Sequence, residues 1–305
     1  MSNTTLLIDG NNTLHRTHWI ANNTGRQLIN SKGVNVGSLF TFLKTIKSYA
    51  DQFNTSNIYI AWDKKLTNES NFRKDSTEGT YKGTRDQERN KSVYDSMDDV
   101  VKATTSLGIK NIYPGRLEAD DVISWLTENI EGKKIIVSVD RDFIQLIKDD
   151  VCYYNPIKKE LINVDNFTHH FNLTPKEYLY FKAIVGDVSD NIPGVEGFGK
   201  VKGHKLAKQF CENNETAIQP YKEQVESNLK LMDLTYGIRQ YPEESELYKE
   251  QLESLNKVTI QFEQFKELCT ENEFQSILNK IGDWQRSFNQ KNTTELLTEY
   301  FKAFA

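Results

Sequence analysis

Nine acidic residues fall into five groups along the chain, each at the end of a stretch patterned like a regular element. Asp9 closes the apolar run TTLLID, and Asp63 closes SNIYIAWD. Asp140 follows KIIVSV, with Asp142 just beyond it in DRDF. Glu118, Asp120 and Asp121 open a helical pattern, while Asp187 and Asp190 precede Asn-Ile-Pro-Gly. Singly, such carboxylates have ordinary roles. Asp142 suits a helix cap, Asp120 and Asp121 favour the positive end of a helix, and Asp190 fits an Asx turn. Converging on one pocket, they would repel one another and raise each other's pKa unless a cation compensated them. Oxygen-only donors select Mg²⁺ or Mn²⁺ over zinc. A set this large suits two ions about 3.5–4 Å apart, an arrangement fit for activating water and stabilising a pentavalent phosphate and a departing 3′ oxygen. Phosphodiester hydrolysis is the chemistry that needs those services.

Other chemistries find less support. None of His15, His18, His169, His170 and His204 lies in the acidic groups, no serine sits in a Gly-x-Ser-x-Gly elbow, and Cys152, Cys211 and Cys269 have no metal-site spacing. The segment IPGVEGFGKVKGHKLAKQF lacks the Gly-Lys-Ser/Thr of a nucleotide-binding loop. It offers Gly194, Gly197 and Gly199 in a tight turn, then Lys200, Lys202, Lys205 and Lys208. Amides in such a turn can hold a phosphate, directly or through a monovalent cation, and the lysines can follow a duplex backbone without reading its sequence. A second basic stretch, FRKDSTEGTYKGTRDQERNK, mixes Phe72 and Tyr81 with Arg73, Lys74, Lys82, Arg85 and Arg89. Aromatics among cations can stack bases while the charges hold phosphates.

The elements that must position these residues alternate strand with helix. Strands are expected at 4–9, 56–63, 109–113 and 134–139, with shorter ones at VCYY and ELIN. Helices are expected at 36–53, 93–108, 117–132, after DRDF, and from Thr174, where Pro175 and Glu177 complete a capping signature. This alternation predicts a mostly parallel α/β sheet with its ligands at the C-terminal strand ends. The net charge of −5 does not suit a protein that coats DNA indiscriminately, but residues 64–91 and 196–208 each carry a surplus of three positive charges. The expectation is basic patches around an acidic centre. No apolar run reaches membrane-spanning length, and the N-terminus lacks an export signal's pattern, so a cytoplasmic protein is expected.

Six motifs, in order, carry a resemblance over residues 4–210: LLIDGNN, AWD, FRKD with YKGTR, LEADD, SVDRDF, and GDVSDNIPGVEGFGKVKG. The chain resembles the 5′-nuclease family, which includes flap endonucleases, the 5′-nuclease domain of bacterial DNA polymerase I and stand-alone bacteriophage 5′–3′ exonucleases. The resemblance implies a PIN-like α/β core over 1–185, with a basic helical arch at 64–92. A helix–hairpin–helix and helical C-terminal region over 186–305 follows. It assigns Asp9, Asp63, Glu118 and Asp120 to one Mg²⁺ site and Asp140, Asp142, Asp187 and Asp190 to a second, with Asp121 close by. Mn²⁺ is expected to substitute for Mg²⁺, and K⁺ is expected at the hairpin.

The same resemblance gives Arg73, Lys82 and Lys182 catalytic roles near the scissile phosphate. Phe72, Tyr81, Arg85, Gly194, Gly197, Gly199, Lys200, Lys202 and Lys205 are expected to contact DNA. Lys200 and Lys202 flank Val201, where a phage relative's pattern places a lysine. The implied activity is structure-specific 5′–3′ exonuclease and flap endonuclease cleavage of branched or nicked duplex DNA, with RNA primer removal in replication and the phage host's cytoplasm as setting. Two alternatives stand beside it: a ribonuclease H acting mainly on RNA–DNA hybrids, and a non-catalytic junction-binding protein. A monomer is expected, and the tail beyond about 212 is left open to a clamp, a single-strand-binding protein or the core alone.

Overall fold

The apolar runs form strands as their patterns demand. The computed structural model describes residues 4–23, 27–63, 72–77, 80–82, 92–257 and 259–289. Strands β1 (Thr4–Asp9), β2 (Ile58–Ala61), β3 (Lys110–Ile112), β4 (Lys133–Val137), β5 (Val151–Asn155) and β6 (Glu160–Ile162) make one sheet in the order β3-β2-β1-β4-β5-β6. The first five are parallel, and β6 runs antiparallel to β5. Alternating side chains go to opposite faces. Leu6 and Ile8 enter one core cluster with the helices Gly37–Phe53 and Met97–Ser106, and Leu7 enters another with the helix Ala119–Asn129. Both faces are therefore covered, which is why the central strands read as unbroken apolar runs.

Local details depart from the expected boundaries. A helix, Gly10–Asn23, begins directly after β1. Its polar sequence hides it, but Gly10 explains the tight entry, since a Cβ there would lie 2.6 Å from the Trp62 ring. DRDF starts a short 3₁₀ helix, Asp142–Leu146, rather than an α-helix. The capping signature at Thr174 is realised: its hydroxyl accepts the Glu177 amide at 3.3 Å, and the Glu177 carboxylate accepts the Thr174 amide at 2.7 Å.

The helices Pro175–Val185, Lys200–Cys211 and Lys222–Met232 enclose a third cluster built from Ala183, Ile184, Leu206, Phe210 and Val225. The C-terminal helices Phe262–Glu271 and Ile281–Phe288 return Phe265, Leu268, Trp284 and Phe288 to the first core cluster. Packing thus runs across the expected boundary at 185/186. Among the described residues, no helix is long and apolar enough to cross a membrane. Most of the expected arch at 64–92, including Arg85, lies outside the described residues.

The hairpin of the third cluster closes through two glycines. Gly186 has φ +81°, and a Cβ on Gly194 would meet the Val185 carbonyl oxygen at 2.2 Å. Gly194→Ala is expected to destabilise the protein by about 1–3 kcal/mol, because backbone cannot yield as a side chain would. Gly199→Ala, whose Cβ meets nothing within 4 Å, should unfold like wild type in the same urea titration. Equal midpoints for the two variants would contradict this account.

Candidate active site

The chain leaves β1 toward β2 and β3 on one side, then crosses back to β4 on the other. A crevice therefore opens at the C-terminal ends of β1 and β4. Asp9 ends β1 there, 6% exposed; it accepts the Asn12 amide on Oδ1 and the Ser138 hydroxyl on Oδ2, both at 2.9 Å. Ser138 Oγ also accepts the Asp140 amide at 3.0 Å, and Asp140 Oδ1 accepts the Asp142 amide at 2.9 Å. Asp140 thus closes the turn after β4, which leaves the Asp142 carboxylate to pair with Lys182 at 3.0 Å.

Asp63 sits across the crevice, its amide held by Asn11 Oδ1 at 2.9 Å. Its Oδ1 accepts the Ala119 amide at 2.7 Å, at the positive end of the helix Ala119–Asn129. Glu118, just before that helix, binds Lys82 Nζ at 2.8 Å, Arg73 at 3.1 Å and the Tyr81 hydroxyl at 3.2 Å.

Two kinds of carboxylate result. Burial chiefly, with the charges of Asp140 and Asp63 added, pushes Asp9 up to about 7 despite its Asn12 and Ser138 bonds. Burial followed by the Glu118 charge raises Asp63, and burial followed by Asp9 and Asp140 raises Asp120 well above the usual carboxylate range. Asp142 is pushed up to about 6 by burial and Asp140, against the pull of Lys182. Glu118 goes the other way. Burial alone would raise it, but Lys82 and Arg73 together hold it at about 2. Asp187 is likewise lowered, burial being outweighed by Lys182 at 2.6 Å and by Ser189.

This imbalance tests the fit of divalent cations. Asp9, Asp63 and Asp120 are hard oxygen donors, the Asp63 charge acting on Asp9 and the Asp9 charge on Asp120, and the neighbouring cations leave all three carboxyls raised. That donor chemistry fits Mg²⁺ or Mn²⁺. Among the described residues, no group of three such side chains is already arranged to hold a metal ion.

Position defines the surroundings of several expected residues. The Arg73 side chain is 1% exposed and fully engaged, with bidentate bonds to Asp121 at 2.7 and 2.8 Å and Nε donating to the Leu231 carbonyl at 2.8 Å. It braces Glu118 from within. Asp121 is 0% exposed, and that fork occupies both its oxygens, which makes it the ion-pair partner of Arg73. Phe72 packs against Tyr236 and Tyr241, while Tyr81 is buried in the third cluster with its hydroxyl on Glu118.

The pair Asp187 and Asp190 also divides. Asp187 joins Lys182 and Asp142, whereas Asp190 influences Lys82 and Tyr81, and its carbonyl accepts the Lys82 amide at 3.2 Å. Lys200, Lys202 and Lys205 are exposed along the helix that follows Gly197 and Gly199. Residue-by-residue reading missed Asn11 and Ser138, which tie the carboxylate-bearing strand ends together. Their only signal was adjacency, to Asp9 in DGNN and to Asp140 in SVDRD.

A parallel sheet with acidic side chains gathered at its switch point, beside an exposed basic helix, defines a phosphodiester-hydrolase class of site. Residues 4–172 match the family model described as the 5′–3′ exonuclease N-terminal, resolvase-like domain. The chain belongs to the 5′–3′ exonuclease family and is a nuclease. A 5′–3′ exonuclease of Buchnera aphidicola (subsp. Schizaphis graminum) is 31% identical over 209 residues, covering 67% of this chain and 70% of that one. The thermostable DNA polymerase I of Thermus caldophilus is 30% identical over 213 residues, which are 67% of this chain but 24% of the polymerase. Among solved structures, the bacteriophage T5 flap endonuclease in a complex with DNA and metal ions superposes with a TM-score of 0.66 at 20% identity, covering 83% of this chain and all of that one (100%). Flap endonuclease-1 of Methanococcus jannaschii gives 0.54 at 14% identity, covering 95% and 94%. These two likenesses concern the fold.

Proposed function

We propose that the chain hydrolyses phosphodiester bonds at the 5′ side of branched or nicked duplex DNA with divalent ions held by Asp9, Asp63, Glu118 and Asp120, and by Asp140, Asp142 and Asp187 nearby. The observation that carries this reading is the group of buried, mutually repelling carboxylates at the sheet's switch point. When bound, the ions would supply an activated water and charge neutralisation at the phosphate. The protein's own contribution is placement. Ser138 and Asn12 fix Asp9, and Lys82 and Lys182 sit at the two margins of the acidic group, near enough to approach a phosphate oxygen. Lys200, Lys202 and Lys205 offer the duplex backbone a sequence-independent grip. Removal of RNA primers and flaps in replication is the reaction this selectivity suits.

The test is a 5′-flap duplex labelled separately at both ends, with and without Mg²⁺. Mg²⁺-dependent release of the flap supports the reading; junction binding without cleavage by folded protein favours a binding module. Proton linkage gives a finer check. A metal must displace the proton from Asp9, whose carboxyl titrates at about 7, and from Asp142 at about 6. Mg²⁺ affinity should therefore rise as pH increases from 6 to 8, with proton release on binding detectable by calorimetry in buffers of different ionisation enthalpy. A flat affinity across that range would remove this argument.

A further inference from the structure

The carboxylates come from loops far apart in sequence, and one later segment fastens three of the supporting elements. The Leu231 carbonyl accepts Arg73, which in turn holds Glu118. Gln145, in the 3₁₀ helix after Asp140, donates to the Met232 carbonyl at 3.0 Å and accepts the Leu234 amide at 3.2 Å. In the helix Pro242–Leu255, Gln251 accepts the Tyr113 amide at 3.0 Å and donates to its carbonyl at 2.7 Å. Glu244 of the same helix accepts the Gly115 amide at 2.8 Å and the Arg116 amide at 2.5 Å.

Glu244 is the strongest of these fasteners. It is 2% exposed, and its charge is answered by the two main-chain amides and by the Tyr248 hydroxyl at 2.7 Å. Charge-assisted bonds of this kind are short and directional. Gly115 leaves no slack, because a Cβ there would lie 2.4 Å from a Glu244 oxygen. The clamped residues lead through buried Leu117 straight into Glu118 and the helix carrying Asp120. A carboxylate buried this way also demands that the loop stay, since a released loop would leave the charge unsatisfied.

We propose that Glu244 is a positioning residue of the nuclease site, fixing the Tyr113–Arg116 approach and so the places of Glu118 and Asp120. This rests on the reading that those carboxylates hold the ions. The test measures single-turnover flap cleavage against Mg²⁺ concentration, and divalent-free junction affinity, for full-length Glu244→Ala, Glu244→Gln and Gln251→Ala. Ile277→Ala, in the opposite core cluster, is the control for stability loss alone.

Glu244→Ala should raise the Mg²⁺ half-saturation or lower the saturated rate by about 10–100-fold. Junction affinity should stay within about threefold. Glu244→Gln should recover part of the loss, and Gln251→Ala should shift the Mg²⁺ response in the same direction by less. If Glu244→Ala does not fold, the other two variants carry the test. A Mg²⁺ response no more altered than in Ile277→Ala, at equal folded fraction, overturns the proposal. Wild-type cleavage that needs no divalent ion would instead sink the metal reading itself.

Discussion

Asp9→Asn is expected to abolish Mg²⁺-dependent cleavage while making the metal-free protein more stable above neutral pH. The activity loss should be on the order of 10³-fold, the scale of losing a principal electrostatic stabiliser. The stability gain follows from the sign of the pKa shift. Asp9 is raised from its ordinary 3.8 to about 7, chiefly by burial and then by its acidic neighbours. Below pH ~4 both folded and unfolded chains hold the proton, and the group takes nothing from stability. As pH climbs toward 7, the unfolded chain has released its proton while the folded chain retains it. Stability therefore falls through that window and levels off above it.

Asparagine cannot ionise, so the variant escapes the fall. The expected gain at pH 8 is on the order of 2–4 kcal/mol, shared with the neighbouring carboxylates that are relieved as well. Thermal unfolding of both proteins in chelator at pH 5 and pH 8 checks it. Wild type should lose ground between the two values, and the variant should lose less. If the variant were the less stable at pH 8, the electrostatic account of the site would be wrong.

The second large effect concerns Arg73. Arg73→Met should destabilise the protein by about 3–5 kcal/mol, because it strands the fully buried Asp121 carboxylate without its partner. Arg73→Lys should rescue little, since an ammonium cannot reproduce the two-pronged bond to Asp121 and the third to Leu231. The double replacement Arg73→Met with Asp121→Leu removes both charges and should recover much of the loss in urea unfolding. An Arg73→Met protein as stable as wild type would mean that the pair contributes nothing. Because Arg73 also binds Glu118, the double variant should be folded yet impaired in cleavage.

The sequence made the sheet legible because doubly covered strands carry continuous apolar runs, and three of those runs ended at a carboxylate. Thus β1, β2 and β4 appear where TTLLID, SNIYIAWD and KIIVSV stand, and Asp9, Asp63 and Asp140 lie at or just past their ends. The capping signature at Thr174 was readable for a similarly local reason. Side-chain partners were not. Arg73 and Asp121 are 48 residues apart, and nothing in FRKD distinguishes a buried fork from a surface cation. Phe72 and Tyr81 sit among charges in sequence but among rings and core residues in space. The helix after β1 stayed hidden because only Gly10, Thr13, Leu14 and Thr17 of it are buried, too polar a stripe for an apolar period to emerge. The role of the tail was invisible because Glu244 and Gln251 act through main-chain groups, which every sequence possesses.

The sheet's outer margins are another matter. Both end strands, β3 and β6, are three residues long, and β6 reverses direction. On the β3 side the helix Pro242–Leu255 lies alongside, and Gln251 meets the next amide and carbonyl as a neighbouring strand would. A side chain thus completes the ladder that an open margin would otherwise offer to a second molecule. Gln251→Ala would bare that margin, so self-association would accompany any loss of cleavage in that variant.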